Sequence, residues 1–215
     1  MSSFLQALKV QRWDDHRYYH HSRINQSLHL ISAIAFLVAY AFLFIEPPVA
    51  ALIAWLISMV SRQSGHFFFE PKGYDEVNQA THEYKEEIKV GYNLQRKVVL
   101  MAVWAGLPVL LWADPGFFGL LEPHTQPSGY VLNVGWLWLW LGVGGLAFRV
   151  LQLALTQSLY TGIVWATKIV TDPFHDILLY WKSPWYLLQG ELIAKPEYLQ
   201  AERAEHEAEL ARQQG

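Results

Sequence analysis

The 215-residue chain is 53% hydrophobic but only 16% charged, with a net charge of −3. That leaves room for one domain or one compact membrane bundle and too little charge for an ordinary soluble surface. It contains no cysteine, which excludes disulfides, thiolate catalysis and Cys-ligated zinc or iron–sulfur centres, so any metal must sit on His, Asp, Glu, Asn or Tyr. No basic patch interleaves with aromatics, so nucleic acid is not an expected partner; the ten Trp, eleven Tyr and eleven Phe suit membrane interfaces.

Residues 1–27 are charged and aromatic and lack an apolar core with a small-residue cleavage site; they read as a cytosolic N-terminal helix, not a secretory signal. Leu28–Phe44 has no charged residue and, at about 1.5 Å per residue, reaches roughly 26 Å, close to the hydrocarbon thickness. Glu46-Pro47-Pro48 breaks that helix, because proline lacks the amide donor and restricts the residue before it. Val49–Met59 spans only if it continues through Arg62, Gln63 and His66 to Phe69. Residues 28–69 therefore predict a helical hairpin with its apex at Glu46–Pro48. His29 and His66 lie on its two arms, each about 26 Å from the apex and so at one depth.

The stretch 70–97 is polar and predicts a cytosolic amphipathic helix or helix pair outside the bilayer. Residues 98–170 predict a second helical pair: Val98–Trp112, a turn-rich loop from Asp114 to Gly129, and Val131–Phe148. Leu151–Val170 reads either as a continuation of that last helix or as a fifth span. Asp172 before Pro173 predicts a helix start, and 171–215 a cytosolic tail whose Pro196–Gln214 part forms a solvated helix. Lys and Arg cluster before the first span and between Arg62 and Lys97, while the loops at 45–48 and 113–130 have none. The positive-inside rule then places both termini in the cytoplasm, with four spans. The expected fold is an all-α integral membrane bundle of about four transmembrane helices with cytosolic amphipathic helices.

His21, Asn25 and His29 recur every four residues, as do His66 with Glu70 and His82 with Glu86. Four residues is just over one helical turn, so each set lies along one helix face. Burying ionisable groups beside a bilayer is costly without a partner or a function, and imidazoles with carboxylates on converging helices build metal sites. His21, His29, His66, His82 and Glu86 are the expected metal ligands, in one cytosol-facing site. His16 and His20 fall on a different face of the N-terminal helix and are placed outside it. Capping alone accounts for the Asp172–Asp176 segment that carries His175, and His124 lies in the far loop.

The elements His21-x-x-x-Asn25-x-x-x-His29 and Gln63-Ser64-Gly65-His66-x-x-Phe69-Glu70 resemble the Mpo-like family. That small family of membrane proteins is typified by the 2-hydroxy fatty acid dioxygenase of fatty-acid α-oxidation. The likeness covers roughly 55 residues; the hairpin between the two elements is shorter than the family's, and Pro71-Lys72-Gly73 departs from its continuation. The resemblance implies an Fe2+-dependent oxidoreductase that uses O2 to shorten a 2-hydroxy fatty acid by one carbon. His21, His29 and His66 would be iron ligands or their close supports, with Asn25 and Glu70 as their partners. Arg62 or Lys72, at headgroup level, would hold the substrate carboxylate and the acyl chain would lie between the spans. Three rival expectations remain open: a diiron hydroxylase or desaturase that adds His16, His20, Glu70 and Glu86, a haem protein with His29 and His66 as axial ligands, and a non-enzymatic scaffold.

Overall fold

The computed structural model describes residues 3–75, 78–88, 90, 94–194, 204, 208 and 211, without the side chains of 14, 15, 17–19 and 94. Most of the expected tail helix, His206 included, lies outside the described residues. The chain is built from helices α1 (Phe4–Tyr19), α2 (Arg23–Phe42), α3 (Pro47–Ile53), α4 (Val60–Ser64), α5 (His82–Ile88), α6 (Leu94–Ala113), α7 (Pro127–Thr156), α8 (Leu159–Tyr180) and α9 (Ser183–Leu188). Two π-helical segments, Ala54–Met59 and Gly65–Phe69, flank α4. The junctions at Ile53, Val60 and Gly65 keep right-handed helical dihedrals, so 47–69 is one helical arm whose hydrogen-bond register slips twice.

The expected hairpin forms from α2 and this arm. Ser58 donates to the Ser32 carbonyl and its hydroxyl also meets that of Ser32 at 3.3 Å, tying the arms midway. The arm runs parallel to α7 in a constant register. A Cβ on Gly135 would lie 2.5 Å from the Pro48 carbonyl oxygen, and one on Gly142 would lie 3.7 Å from the Trp55 indole nitrogen, an offset of 87 residues at both points. Glycine at 135 is therefore what lets the two backbones touch. The apolar core is Ala51, Trp55, Leu111, Val134, Leu137 and Trp138. Its indoles find carbonyls: Trp55 donates to Trp138 at 2.8 Å and Trp138 to Trp104 at 3.0 Å, as buried Trp N–H groups require.

Among the described residues, three helices are long and apolar enough to cross a membrane: Arg23–Phe42, Gln95–Ala113 and Pro127–Thr156. They expose large apolar side chains outward, among them Ile31, Ile34, Val38, Val99, Val109 and Val143, the surface expected of a protein solvated by lipid.

Several expected boundaries move. The N-terminal segment is not one helix running into the first span: α1 stops at Tyr19, and Ser22 caps α2 by accepting from the Asn25 amide at 3.4 Å. Of residues 70–97, the described part holds the short α5 and the start of α6. Leu151–Val170 is divided: Leu151–Thr156 continue α7, the chain turns at Gln157, and Ser158 caps α8. Pro173 lies inside α8, so Asp172 starts no helix there; it binds Lys168 at 2.7 Å and Arg12 at 3.4 Å.

Candidate metal centre

Three histidines converge, each delivered by a different element. His20 ends α1, where its amide bonds the His16 carbonyl at 3.3 Å. The chain then pairs with the segment after α9: Arg23 donates to the Leu192 carbonyl at 2.9 Å and the Ala194 amide to His21 at 2.8 Å. That pairing turns the His20 ring inward, where it is buried. His29 lies in α2, fully buried, and His66 sits in the second π-helical segment, a helix variant frequent at functional sites. One ring nitrogen of each of the three lies within 4.8 Å of the others.

Carboxylates stand behind two of these rings. Glu70 meets His66 Nδ1 at 2.5 Å, whereas Asp176 of α8 is 3.6 Å from His29 Nδ1, which has no hydrogen-bond partner among the described residues. A carboxylate bonded to Nδ1 fixes the proton there and leaves Nε2 as a lone pair, so His66 presents Nε2 as an acceptor, the arrangement found behind metal-bound histidine. The two Nε2 atoms face each other at 3.2 Å. A cation between them would satisfy both rings. With metal–nitrogen bonds of about 2.1 Å, neighbouring ligands are roughly 3.0 Å apart at a right angle and 3.4 Å at the tetrahedral angle, which brackets the observed value.

A shared proton would also satisfy that pair, but it would not explain His20. Neither ring nitrogen of His20 has a hydrogen-bond partner among the described residues. Burial, reinforced by the neighbouring His29, holds its pKa well below the ordinary histidine value, so the ring is neutral and available as a ligand. An unsatisfied buried nitrogen costs about 1–3 kcal/mol, and a metal ion would satisfy it.

Gly65 permits the approach of the two arms. A Cβ there would lie 2.1 Å from Asn25 Oδ1, so Asn25, fully buried, packs where any other residue at 65 would stand. The Asn25–Gly65 contact is the physical content of the two sequence elements: it sets the hairpin spacing beside His29 and His66. Asn25 thus positions ligands, and Glu70 orients His66. Arg62 donates to Asp176 and to Ser32 Oγ at 3.4 Å, so it braces the carboxylate behind His29. Lys72 is exposed.

The expected ligand set is corrected at three positions. His21 precedes the Ser22 cap, so it is off the α2 stripe; its Nε2 faces Asp75 at 3.9 Å, and His20 occupies the place expected for it. His82 and Glu86 lie outside the converging group. The chain before them is held by the Asp75–Ala80 bridge, and α5 docks through Lys85 to Asp75 at 3.5 Å. Two contributors were missed altogether, Asp176 and Tyr180. Tyr180 is buried, bonds His16 Nδ1 and lies with its ring centroid 5.8 Å from that of His20. The signal was present: Lys168, Asp172, Asp176 and Tyr180 recur every four residues and are all buried, while Ile163, Val170, Phe174 and Leu178 on the same helix are exposed. Helix α8 is polar inside and apolar outside, the reverse of a soluble helix.

Beside the histidines opens a cavity of 440 Å³, lined at its polar end by His16, His20, His66, Arg62 and Lys97 and elsewhere by apolar side chains of α2, the 47–69 arm, α7 and α8. On α2 its lining residues are Phe36, Ala39, Tyr40 and Leu43, one helical stripe continuous with His29 and Ser32. Its volume falls in the usual range for small-molecule sites, roughly 300–1,000 Å³.

No family model, curated protein or solved structure matches the chain.

Proposed function

We propose that the protein is an integral membrane oxygenase that holds one Fe2+ on His20, His29 and His66 and acts on a 2-hydroxy fatty acid with loss of one carbon. The observation that carries the metal is the convergence of one ring nitrogen from each of His20, His29 and His66 within 4.8 Å, with Glu70 behind His66 and no hydrogen-bond partner for the buried His20 ring among the described residues. The choice of iron and of the substrate rests on the Mpo-like resemblance of the two sequence elements. Imidazole donors suit iron as well as zinc, copper or nickel.

Iron bound there would supply Lewis-acid and redox chemistry toward O2 and a chelating 2-hydroxy carboxylate. The chain's own residues prepare the site. Glu70 fixes the His66 ring proton on Nδ1, and Arg62 braces Asp176 beside His29. Those two carboxylates and one guanidinium sum to −1, so a divalent ion leaves the site at +1 and attractive to a carboxylate. Arg62, Lys97 and Lys168 line the cavity together with Asp172 and Asp176, which pair with Lys168 and Arg62, while the apolar walls exclude water from the acyl chain.

In this reading α2, the 47–69 arm, α6 and α7 cross the bilayer, and the termini and the metal face the cytoplasm. Cysteine labelling at Ser3 and Ser128 in sealed vesicles tests the topology. The two sites must label from opposite sides.

Metal analysis of purified protein tests the chemistry. One iron per chain and loss of activity on chelation are the expected results; full activity without a transition metal overturns the proposal. Two irons per chain would favour a dinuclear centre that includes His16, whose ring lies 5.2 Å from both His20 and His175. A haem is disfavoured, because nitrogens 3.2 Å apart leave no space for a porphyrin plane.

A further inference from the structure

The lining of the cavity extends from the histidines toward the hairpin apex, which assigns residues to chain-length selection. Counted along the 47–69 arm, Trp55 lies 11 residues and Ala50 16 residues from His66, or about 16 Å and 24 Å at 1.5 Å per residue. Both line the cavity, as do Ala39 at the Trp55 level and Leu43 near the hairpin apex. An extended alkyl chain anchored at the histidines would pass Trp55 after about a dozen carbons and end near Ala50 at about eighteen.

The wall at the Trp55 level is rigid on one side and open on the other. Trp55 is buried, donates its N–H to the Trp138 carbonyl at 2.8 Å and stacks on Trp104 at 6.2 Å between ring centroids, so it cannot swing aside. Facing it is Gly142, whose missing Cβ would stand 3.7 Å from the Trp55 indole nitrogen. A Cβ alone fits there at ordinary contact distance, so the close approach of backbones does not require this glycine, unlike Gly135. What its bareness provides is space within the cavity. Ala39, 10 residues along α2 from His29 or about 15 Å, leaves space in the same way at the same level.

We propose that Gly142 and Ala39 are specificity-determining residues that, both at the Trp55 level, keep the cavity open for a single acyl chain longer than about a dozen carbons. This rests on the acyl-substrate reading above and adds the length rule.

The test is a series of 2-hydroxy fatty acids from about eight to about twenty-four carbons, bound to detergent-purified, iron-loaded protein. Each methylene taken up by the cavity strengthens binding by about fourfold. For the unaltered protein the gain should continue to about eighteen carbons. Gly142→Leu and Ala39→Leu should each end it at about twelve, with short-chain binding and iron content unchanged. Gly144→Leu is the control, because a Cβ there meets nothing within 4 Å; its profile should match the unaltered protein. Identical profiles in all variants, or equal weakening at every chain length, overturn the proposal. Iron bound but no fatty acid taken up also overturns it while leaving the metal site standing. The length pattern without iron would instead defeat the metal reading and keep the cavity.

Discussion

Replacing His20 by Ala and, separately, His21 by Ala separates two adjacent histidines with opposite surroundings. Removing a carboxylate from behind a metal-bound histidine weakens metal binding 10–100-fold. Loss of a ligand itself should therefore cost about 100-fold or more, roughly 2.7 kcal/mol or above. His21 lies outside the converging histidines, with its Nε2 3.9 Å from the buried Asp75. His20→Ala should therefore lose iron during purification, and His21→Ala should retain it at the unaltered stoichiometry.

The same pair carries a second, opposite expectation for the metal-free protein. With no metal, the two unpartnered ring nitrogens of His20 are a burden of about 1–3 kcal/mol each. His20→Leu, which keeps much of the volume, should then raise the thermal midpoint of chelated protein while abolishing its stabilisation by Fe2+. Metal content by mass spectrometry and unfolding scans with and without Fe2+ read both effects. Iron retained in His20→Ala, or lost in His21→Ala, refutes the assignment.

Three further outcomes follow from the geometry. Gly65→Ala, whose Cβ would strike Asn25 Oδ1, should cost about 1–3 kcal/mol by overpacking, lowering the midpoint by roughly 2–12 °C; adding Asn25→Ala should restore part of it, and strict additivity of the two losses would refute the contact. Glu70→Gln should weaken metal binding about 10–100-fold with little change in fold, measured by competition with a chelator of known affinity; unchanged binding would mean that the His66–Glu70 pair is only structural. Asn78 hydrogen bonds, with His21 and Lys85, outweigh burial and hold the Asp75 carboxyl below its ordinary value. Its stabilising contribution is therefore complete above the ordinary carboxylate range and is lost as pH falls through its lowered value. Amide exchange of residues 78–88 should stay slow down to that range and accelerate below it, and Asp75→Asn should show the fast rate at neutral pH.

The hairpin was legible because an uncharged run, a double proline and a second apolar run leave few alternatives. So were His29 and His66, since arms of equal length must bring them to one depth. His20 was not legible by counting every fourth residue, which assumes one unbroken helix from His16 to His29. Ser22 breaks it. A Ser three residues before Asn25 is an N-cap signal, and reading it would have exchanged His21 for His20. Asp176 was hidden differently: Pro173 suggested a helix boundary, and only the packing of α8 on α2 tolerates that proline within a helix. The carboxylates behind the histidines come from 4 and 147 residues away along the chain, and only the nearer one is visible to local spacing.

The break at His20–Ser22 also has an energetic consequence. His20 reaches the centre only because the chain after α9 pairs with residues 21–23 and Glu191 binds Arg23 at 2.7 Å. The metal would thus join α1, α2, the 47–69 arm and, through Asp176, α8. Those elements are otherwise held at this end by contacts around polar groups, while the apolar core lies toward the apex. A bundle packed firmly at one end and joined by ions at the other gains stability at the open end mainly when the metal binds. Protease sensitivity near His20 should therefore rise sharply on chelation, while the apex loop at 43–46 remains as resistant as before. Equal loosening at both ends would mean that the histidines contribute packing alone.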